Sequence, residues 1–438
     1  MPSGALTTSD EWKRGWRLVL SCFVGFSFFS IMSHSLGVFM APLSREFGWS
    51  RTLISSGVSI AAVVTALLSP FFGILIDRYG SRTVAMPGLV ACALAISCFA
   101  LADGSPLQWM MLWLFYAVIS ISVKTTVWTA AVVGAFTRAQ GLALGFTLAG
   151  TAAAQVILPP LATWLIQEFG WRLAYVWLGV GWGGVTFILC WFFLHDHHRK
   201  RPVGPDQTTA ASSQRPGLSI GEAWRNTALW RIGFSTLVMM LLTIGLLIHQ
   251  IPILIESGLT PLDAAWLASL AGIAGIAGKL VSGVLLDRYS ATWVGGITLV
   301  STAFAFALLI DGVHTPALIV VAMVVNGYSA GSKLQIASYL TARYGGMRHF
   351  GVIYGVVTSL VSLGTGIGPM VAGLVYDFTG NYTLFLIAGA VGSVVCGVLI
   401  ISLPRYPDWS AREPARSPLA GAGDTDMNAG TPATGRSE

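Results

Sequence analysis

Twelve stretches of this chain are apolar over close to the roughly 20 residues a helix needs to cross a bilayer core. They lie near residues 17–40, 53–76, 83–102, 107–133, 138–165, 172–194, 229–255, 262–286, 292–311, 315–341, 349–375 and 381–403. A water-soluble globule could not carry them. Hydrophobic residues make up 54% of the 438 and charged residues only 10%, too few to cover a surface facing water. The sequence therefore predicts an all-α polytopic membrane protein of twelve transmembrane helices, referred to below as spans 1 to 12. Span 1 follows Lys13, Arg14 and Arg17 but is too long for a signal-peptide core, so it is expected to stay in the protein.

The spans fall into two copies of one unit. Gly73, Asp77, Arg78 and Tyr79 recur as Gly283, Asp287, Arg288 and Tyr289 at a separation of 210 residues. The same offset pairs Pro42 with Pro252, Glu46 with Glu256, Gly141 with Gly351, Gly145 with Gly355, Pro159 with Pro369 and Gly170 with Gly380. Two parallel halves related by an axis along the membrane normal mark a large class of secondary transporters. The expected organisation is an N-tail (1–16), a six-helix bundle (17–194), a polar linker (195–226), a second six-helix bundle (227–403) and a disordered C-tail (404–438).

Charge placement sets the orientation. With both termini cytoplasmic, the inside segments hold 19 Lys and Arg and the outside loops only Arg45, Arg51 and Arg172, as the positive-inside rule requires. The net charge of +6 thus belongs to loops and tails and gives no sign of a nucleic-acid partner. The five cysteines lie in apolar runs without metal-ligand spacing, and His195, His197 and His198 read as a basic surface anchor rather than a metal site. No metal or cofactor is expected.

Three lysines remain inside spans: Lys124 in span 4, Lys279 in span 8 and Lys333 in span 10. A cation at the bilayer centre costs about 2.5 to 3.5 kcal/mol on insertion scales, which makes each a candidate site. All three lie 17 or 18 residues from the outer end of their spans, with no Asp or Glu deep in any span to pair with them. Like charges gathered at one depth call for an anion. The structural alternatives are snorkelling of Lys333 and hydrogen bonding of a buried lysine. His34 and His249 are expected in a second layer, each about six residues from the outer end of span 1 or 7. Either could carry a proton near neutral pH, or simply be hydrogen-bonded in the bundle.

GILIDRYGSR, from Gly73 to Arg82, and its echo GVLLDRYS, from Gly283 to Ser290, resemble the loop motif of the major facilitator superfamily. The resemblance implies that the motif's Asp and Arg clamp cytoplasmic helix ends in the outward-facing state. Candidate lock residues are thus Gly73, Asp77, Arg78, Arg82, Gly283, Asp287 and Arg288. The run through Phe136, Arg138, Leu142, Ala143, Gly145, Ala149 and Gly150 is similar to the span 5 signature of monocarboxylate transporters. EFGWSR, from Glu46 to Arg51, looks like the first outer loop of their bacterial relatives, which include oxalate/formate exchangers. The resemblance places Lys279 where the family has a substrate-binding arginine, and His34 where animal members carry a lysine linked to proton coupling. It also implies departures: Gly275 stands where those members have an aspartate, and Val361 where oxalate exchangers have a lysine, which argues against oxalate.

The sequence thus predicts a secondary transporter, with no enzymatic machinery. It would move a small organic anion, most readily a monocarboxylate with a proton, through the plasma (inner) membrane by alternating access as a monomer. Lys279, Lys124 and Lys333 would bind substrate, and His34 or His249 would couple the proton. The alternatives are an anion exchanger, an exporter of apolar compounds and a non-transporting membrane receptor.

Overall fold

The structure is a computed structural model that describes residues 8–136, 139–195, 217–310, 315–346 and 348–407. Among the described residues there are helices and no strands. Among the described residues, eleven continuous helical stretches are long and apolar enough to cross a bilayer. One of them, Leu142–Phe193, is two spans. Gly170 within it has φ 77° and ψ 161°, a backbone conformation that glycine alone adopts cheaply, and the helix breaks there. Twelve spans result.

Span 1 comprises Thr8–Phe29 and Ile31–Phe47, span 2 Arg51–Tyr79, span 3 Ser81–Ser97, and span 4 Pro106–Ser120 with Thr125–Ala135. Span 5 runs from Gln140–Leu148 into Gly150–Val176 as far as Gly170, and span 6 continues from there through Gly183–Phe193. The second repeat is more regular: Thr227–Glu256, Pro261–Arg288, Ala291–Leu308, Pro316–Gly345, Phe350–Thr379 and Thr383–Ile401 are spans 7 to 12. Local sequence explains the starts. Spans 4, 8 and 10 each open on a proline at the first turn, where a missing N–H costs nothing. Ser105, Thr260 and Thr315 cap them through side-chain oxygens.

Three boundaries differ from the sequence reading. Span 1 begins at Thr8 rather than 17 and runs to Phe47 rather than 40, because polar residues at its ends are still helical. Part of the linker is ordered: Ile220–Arg225 forms a short helix fixed by a Ser219–Glu222 capping box. The first residues of the C-tail are ordered too. Tyr344 donates to the carbonyl of Pro404 at 2.5 Å, and Tyr406 packs against Tyr344 at 5.4 Å between ring centroids. The tail beyond 407 and linker residues 196–216, which include His197 and His198, lie outside the described residues.

Helices approach most closely between spans 8 and 10. A Cβ on Gly327 or Gly331 would overlap the carbonyl oxygens of Ala271 or Gly275, so only glycine permits this contact of backbone on backbone. The two repeats meet through spans 1 and 7, 2 and 11, and 5 and 8. Gly37 sits on the carbonyl of Ile248, Ser59 donates to the carbonyl of Gly366, and Ser269 donates to that of Val156 at 2.6 Å. These contacts fall in the half of each span away from the chain termini, here termed the far end.

Candidate functional site

The three lysines share their expected register, 17 or 18 residues from the prolines that open spans 4, 8 and 10. Equal depth does not bring them together. Lys333 is buried within the second repeat, and its ammonium donates to Thr243 Oγ1 of span 7 at 2.6 Å. It does not snorkel.

Lys124 marks a break in span 4 that the sequence reading missed. Residues 121–123 form a turn of 3-10 helix and Lys124 itself is extended (φ −76°, ψ 175°), with a new helix starting at Thr125. The signal was present. Ile119, Ile121, Val123, Thr125 and Val127 alternate with period two, and β-branched residues are poor helix formers. Ser120 and Ser122 also turn their hydroxyls back onto the carbonyls of Ala117 and Ile119. The Lys124 ammonium donates to Thr65 of span 2 and lies 5.4 Å from the centre of the Phe29 ring of span 1. Its charge is thus partly satisfied within the first repeat.

Lys279 differs from both. Its side chain is exposed, and it makes no hydrogen bond or ion pair among the described residues. It lies within electrostatic reach of His34 on span 1. Span 8 belongs to the second repeat and span 1 to the first, so the two residues come from opposite sides of the cleft between repeats. His34 is half-buried, and its Nδ1 is buried without a hydrogen-bond partner. Its placement corrects the expected outer layer. Span 1 runs on to Phe47, so His34 sits about 13 residues, or ~20 Å, from the far end, deep in the molecule. The Lys279 ammonium can donate to a carboxylate, and the unpaired His34 nitrogen can do so when it carries a hydrogen.

His249 has the expected depth but entirely different surroundings. It is buried, with Nδ1 2.6 Å from Tyr382 Oη and Nε2 2.9 Å from the Pro369 carbonyl and 3.0 Å from Ser55 Oγ. A carbonyl can only accept, which assigns a hydrogen to Nε2 and leaves Nδ1 to accept from Tyr382. Both nitrogens are occupied. This histidine belongs to a network closing the far end, whose members the sequence reading did not connect. Arg51 of span 2 reaches Glu256 Oε1 and Tyr382 Oη, each at 2.5 Å, and stacks 3.6 Å from the centre of the Tyr376 ring. The Asp377 carboxylate accepts from the backbone N–H groups of Arg51 and Thr52 at 3.0 and 2.9 Å, capping span 2 from the other repeat.

Of the motif residues, Arg82 donates to the carbonyls of Leu194 and Trp191 at 2.8 and 2.9 Å, closing the C-terminal end of span 6. Arg78 and Arg288 are exposed, and Gly283 lies against Gln335 of span 10. The side chains of Asp77 and Asp287, and Gly73, lie outside the described residues.

The sequence model of the Major Facilitator Superfamily matches residues 19–257 and 250–425. Monocarboxylate transporter 13 of Bos taurus is 27% identical over 405 residues, spanning 91% of each chain. Monocarboxylate transporter 12 of Rattus norvegicus is 24% identical over 419 residues, covering 86% of this chain and 82% of its own. Among solved structures, the nucleoside transporter NupG superposes with a TM-score of 0.71 at 15% identity, over 90% of this chain and 99% of its own. A bacterial homologue of the human lysosomal transporter Spinster, in an inward-facing and unoccupied conformation, superposes with a TM-score of 0.65 at 16% identity, over 90% and 96%.

Proposed function

Since the chain belongs to the Major Facilitator Superfamily, we propose that it moves a small organic monocarboxylate together with a proton by alternating access, with Lys279 as carboxylate anchor. One observation carries this reading: the Lys279 ammonium makes no hydrogen bond or ion pair among the described residues and lies within electrostatic reach of His34, whose Nδ1 is buried and unpaired. The charge count supports a monoanion. Lys333 is enclosed elsewhere and Lys124 is held by Thr65 and Phe29, leaving Lys279 as the unpaired cation of the three. Similarity to monocarboxylate transporters points to the same substrate class.

In this reading the far end faces outside, the termini are cytoplasmic, and the structure corresponds to the state open inward in the plasma (inner) membrane of a functional monomer. The units 17–194 and 227–403 rock against each other. The motif residues around Asp77, Arg78, Asp287 and Arg288 lock the cytoplasmic ends in the opposite state. Protonated His34 raises the positive potential beside Lys279 and favours carboxylate entry, and both leave together into a less acidic cytoplasm.

Uptake into proteoliposomes tests the anchor. Lys279→Gln should abolish carboxylate uptake while Lys279→Arg retains part of it, since charge survives but geometry changes. Wild-type rates in the Gln variant would sink the assignment. The coupling has its own test. An imposed inward pH gradient should drive accumulation in the wild type, and His34→Ala should lose that drive while still exchanging substrate at equal pH. Accumulation indifferent to the gradient in the wild type removes proton coupling, and gradient-driven accumulation in His34→Ala removes His34 from it.

A further inference from the structure

The second repeat encloses a cavity of about 20 Å³ between spans 7, 9, 10 and 12, apart from the Lys279 cleft. Ser235, Thr236, Met239, Leu299, Lys333 and Ile400 are among its walls, and none of these is more than 8% exposed. Its polar lining consists of one ammonium and two hydroxyls, with no carboxylate among the lining side chains. The Lys333 ammonium has three N–H donors and spends one on Thr243. Ser235 finds only the Cys396 thiol beside it, a weak partner, and makes no conventional hydrogen bond. The Thr236 hydroxyl is already spent on the Ile232 carbonyl at 2.7 Å.

No carboxylate is available to balance the charge. The single acidic residue on these four spans is Glu256, at the far end of span 7 and engaged with Arg51. A buried ammonium without a counter-charge either gives up its proton or takes an acceptor, and the unfilled Ser235 hydroxyl in the same cavity favours the second. The volume sets its size. A water-sized particle needs at least about 10 to 15 Å³ by this measure, so the space suits one small ion better than an organic acid.

We propose that this cavity is a binding site for a single halide ion, chloride under ordinary conditions, held by Lys333 and Ser235. The ion neutralises Lys333 inside the second repeat and ties span 7 to span 10. Lys333 is thereby assigned to a structural anion, in place of the substrate contact read from its depth alone.

Thermal unfolding of the purified protein tests this in sodium methanesulfonate, which carries no carboxylate, titrated with sodium chloride or bromide at constant ionic strength. The expected result is a saturable rise of a few degrees in Tm with either halide. Lys333→Met should abolish the response and Ser235→Ala should weaken it. Lys279→Gln should keep it in full, which separates this site from the substrate cleft whether or not the carboxylate assignment stands. Bromide-soaked crystals should show one anomalous peak beside Lys333, an observation that stands even if Lys333→Met fails to fold. A Tm indifferent to halide, a response lost with Lys279 rather than Lys333, or a bound water alone in the cavity would each overturn the proposal.

Discussion

The far ends of the two repeats hold the same acid in the same place and use it in opposite ways. Glu46 and Glu256 are repeat equivalents. Glu46 stays within its own repeat, paired with Arg172 at 2.6 Å and accepting from the Trp171 indole at 2.6 Å. The repeat equivalent of Arg172 is Tyr382, which brings no charge. Glu256 therefore lacks an arginine of its own and takes Arg51 from the other repeat, while Tyr382 turns its hydroxyl to the same guanidinium. Two differences between the copies, Tyr382 against Arg172 and Arg51 against Pro261, turn an internal brace into a bond across the cleft.

Burial separates the two pairs as well. The Arg51 and Glu256 side chains are 18% and 32% exposed, against 45% and 39% for Arg172 and Glu46. Exposed pairs are worth little, whereas a partly buried guanidinium with several charge-assisted bonds is costly to remove. Arg51→Ala should therefore have the largest effect of any far-end change. It deletes the bonds to Glu256 and Tyr382 and the stacking on Tyr376, destabilising the closed far end by about 3 kcal/mol, or roughly 100-fold in population. Labelling of a cysteine placed at Ser59, which lies against Gly366 in the interface, should accelerate correspondingly. Unchanged labelling would mean that the contact across the repeats does not hold this end shut.

A smaller change sharpens the same contrast. Tyr382 joins Arg51 to His249, and His249 in turn touches Ser55 of the first repeat. Tyr382→Phe keeps the ring contacts but leaves Nδ1 of His249 without its donor, at a cost of about 1 kcal/mol, roughly fivefold in labelling rate. If Tyr382→Phe equals Arg51→Ala in effect, the hydroxyl rather than the ion pair is the principal tie.

These contrasts show what a sequence can and cannot disclose. Span count and the repeat register rest on long-range regularities of hydropathy and glycine, and such signals survive from chain to structure. Lys279 stands out in the sequence as a cation in an apolar helix with no acid nearby, and the structure gives its ammonium no hydrogen-bond partner among the described residues. Lys333 looked alike because depth along a helix is readable, whereas the direction a side chain takes around it depends on the packing of spans 7, 10 and 12. His34 was placed too shallow because Ser44, Arg45 and Glu46 read as a loop, yet they continue the helix to Phe47. The far-end network was invisible for a different reason. Its bonds join residues at least 120 positions apart, including Ser55 to His249 and Arg51 to Asp377, through ordinary residue types.

The smallest effect is expected at the other pair, and the reason lies in what Arg172 leaves behind. In Arg172→Ala, Glu46 keeps its bond from the Trp171 indole and remains in contact with water. No buried charge is orphaned, and Arg172 takes no part in closing the cleft, although its loss removes stacking on Trp171 at 4.3 Å. Transport and the labelling rate at Ser59 should both stay within about twofold of wild type, with only a slight fall in Tm. Raising ionic strength should mimic this variant in the wild type, because an exposed pair is screened over a Debye length of about 10 Å at 0.1 M salt, whereas a partly buried one is screened less. Were Arg172→Ala to open the far end as widely as Arg51→Ala, the ion pair within the repeat would be part of the closure, and the distinction between brace and bond would collapse.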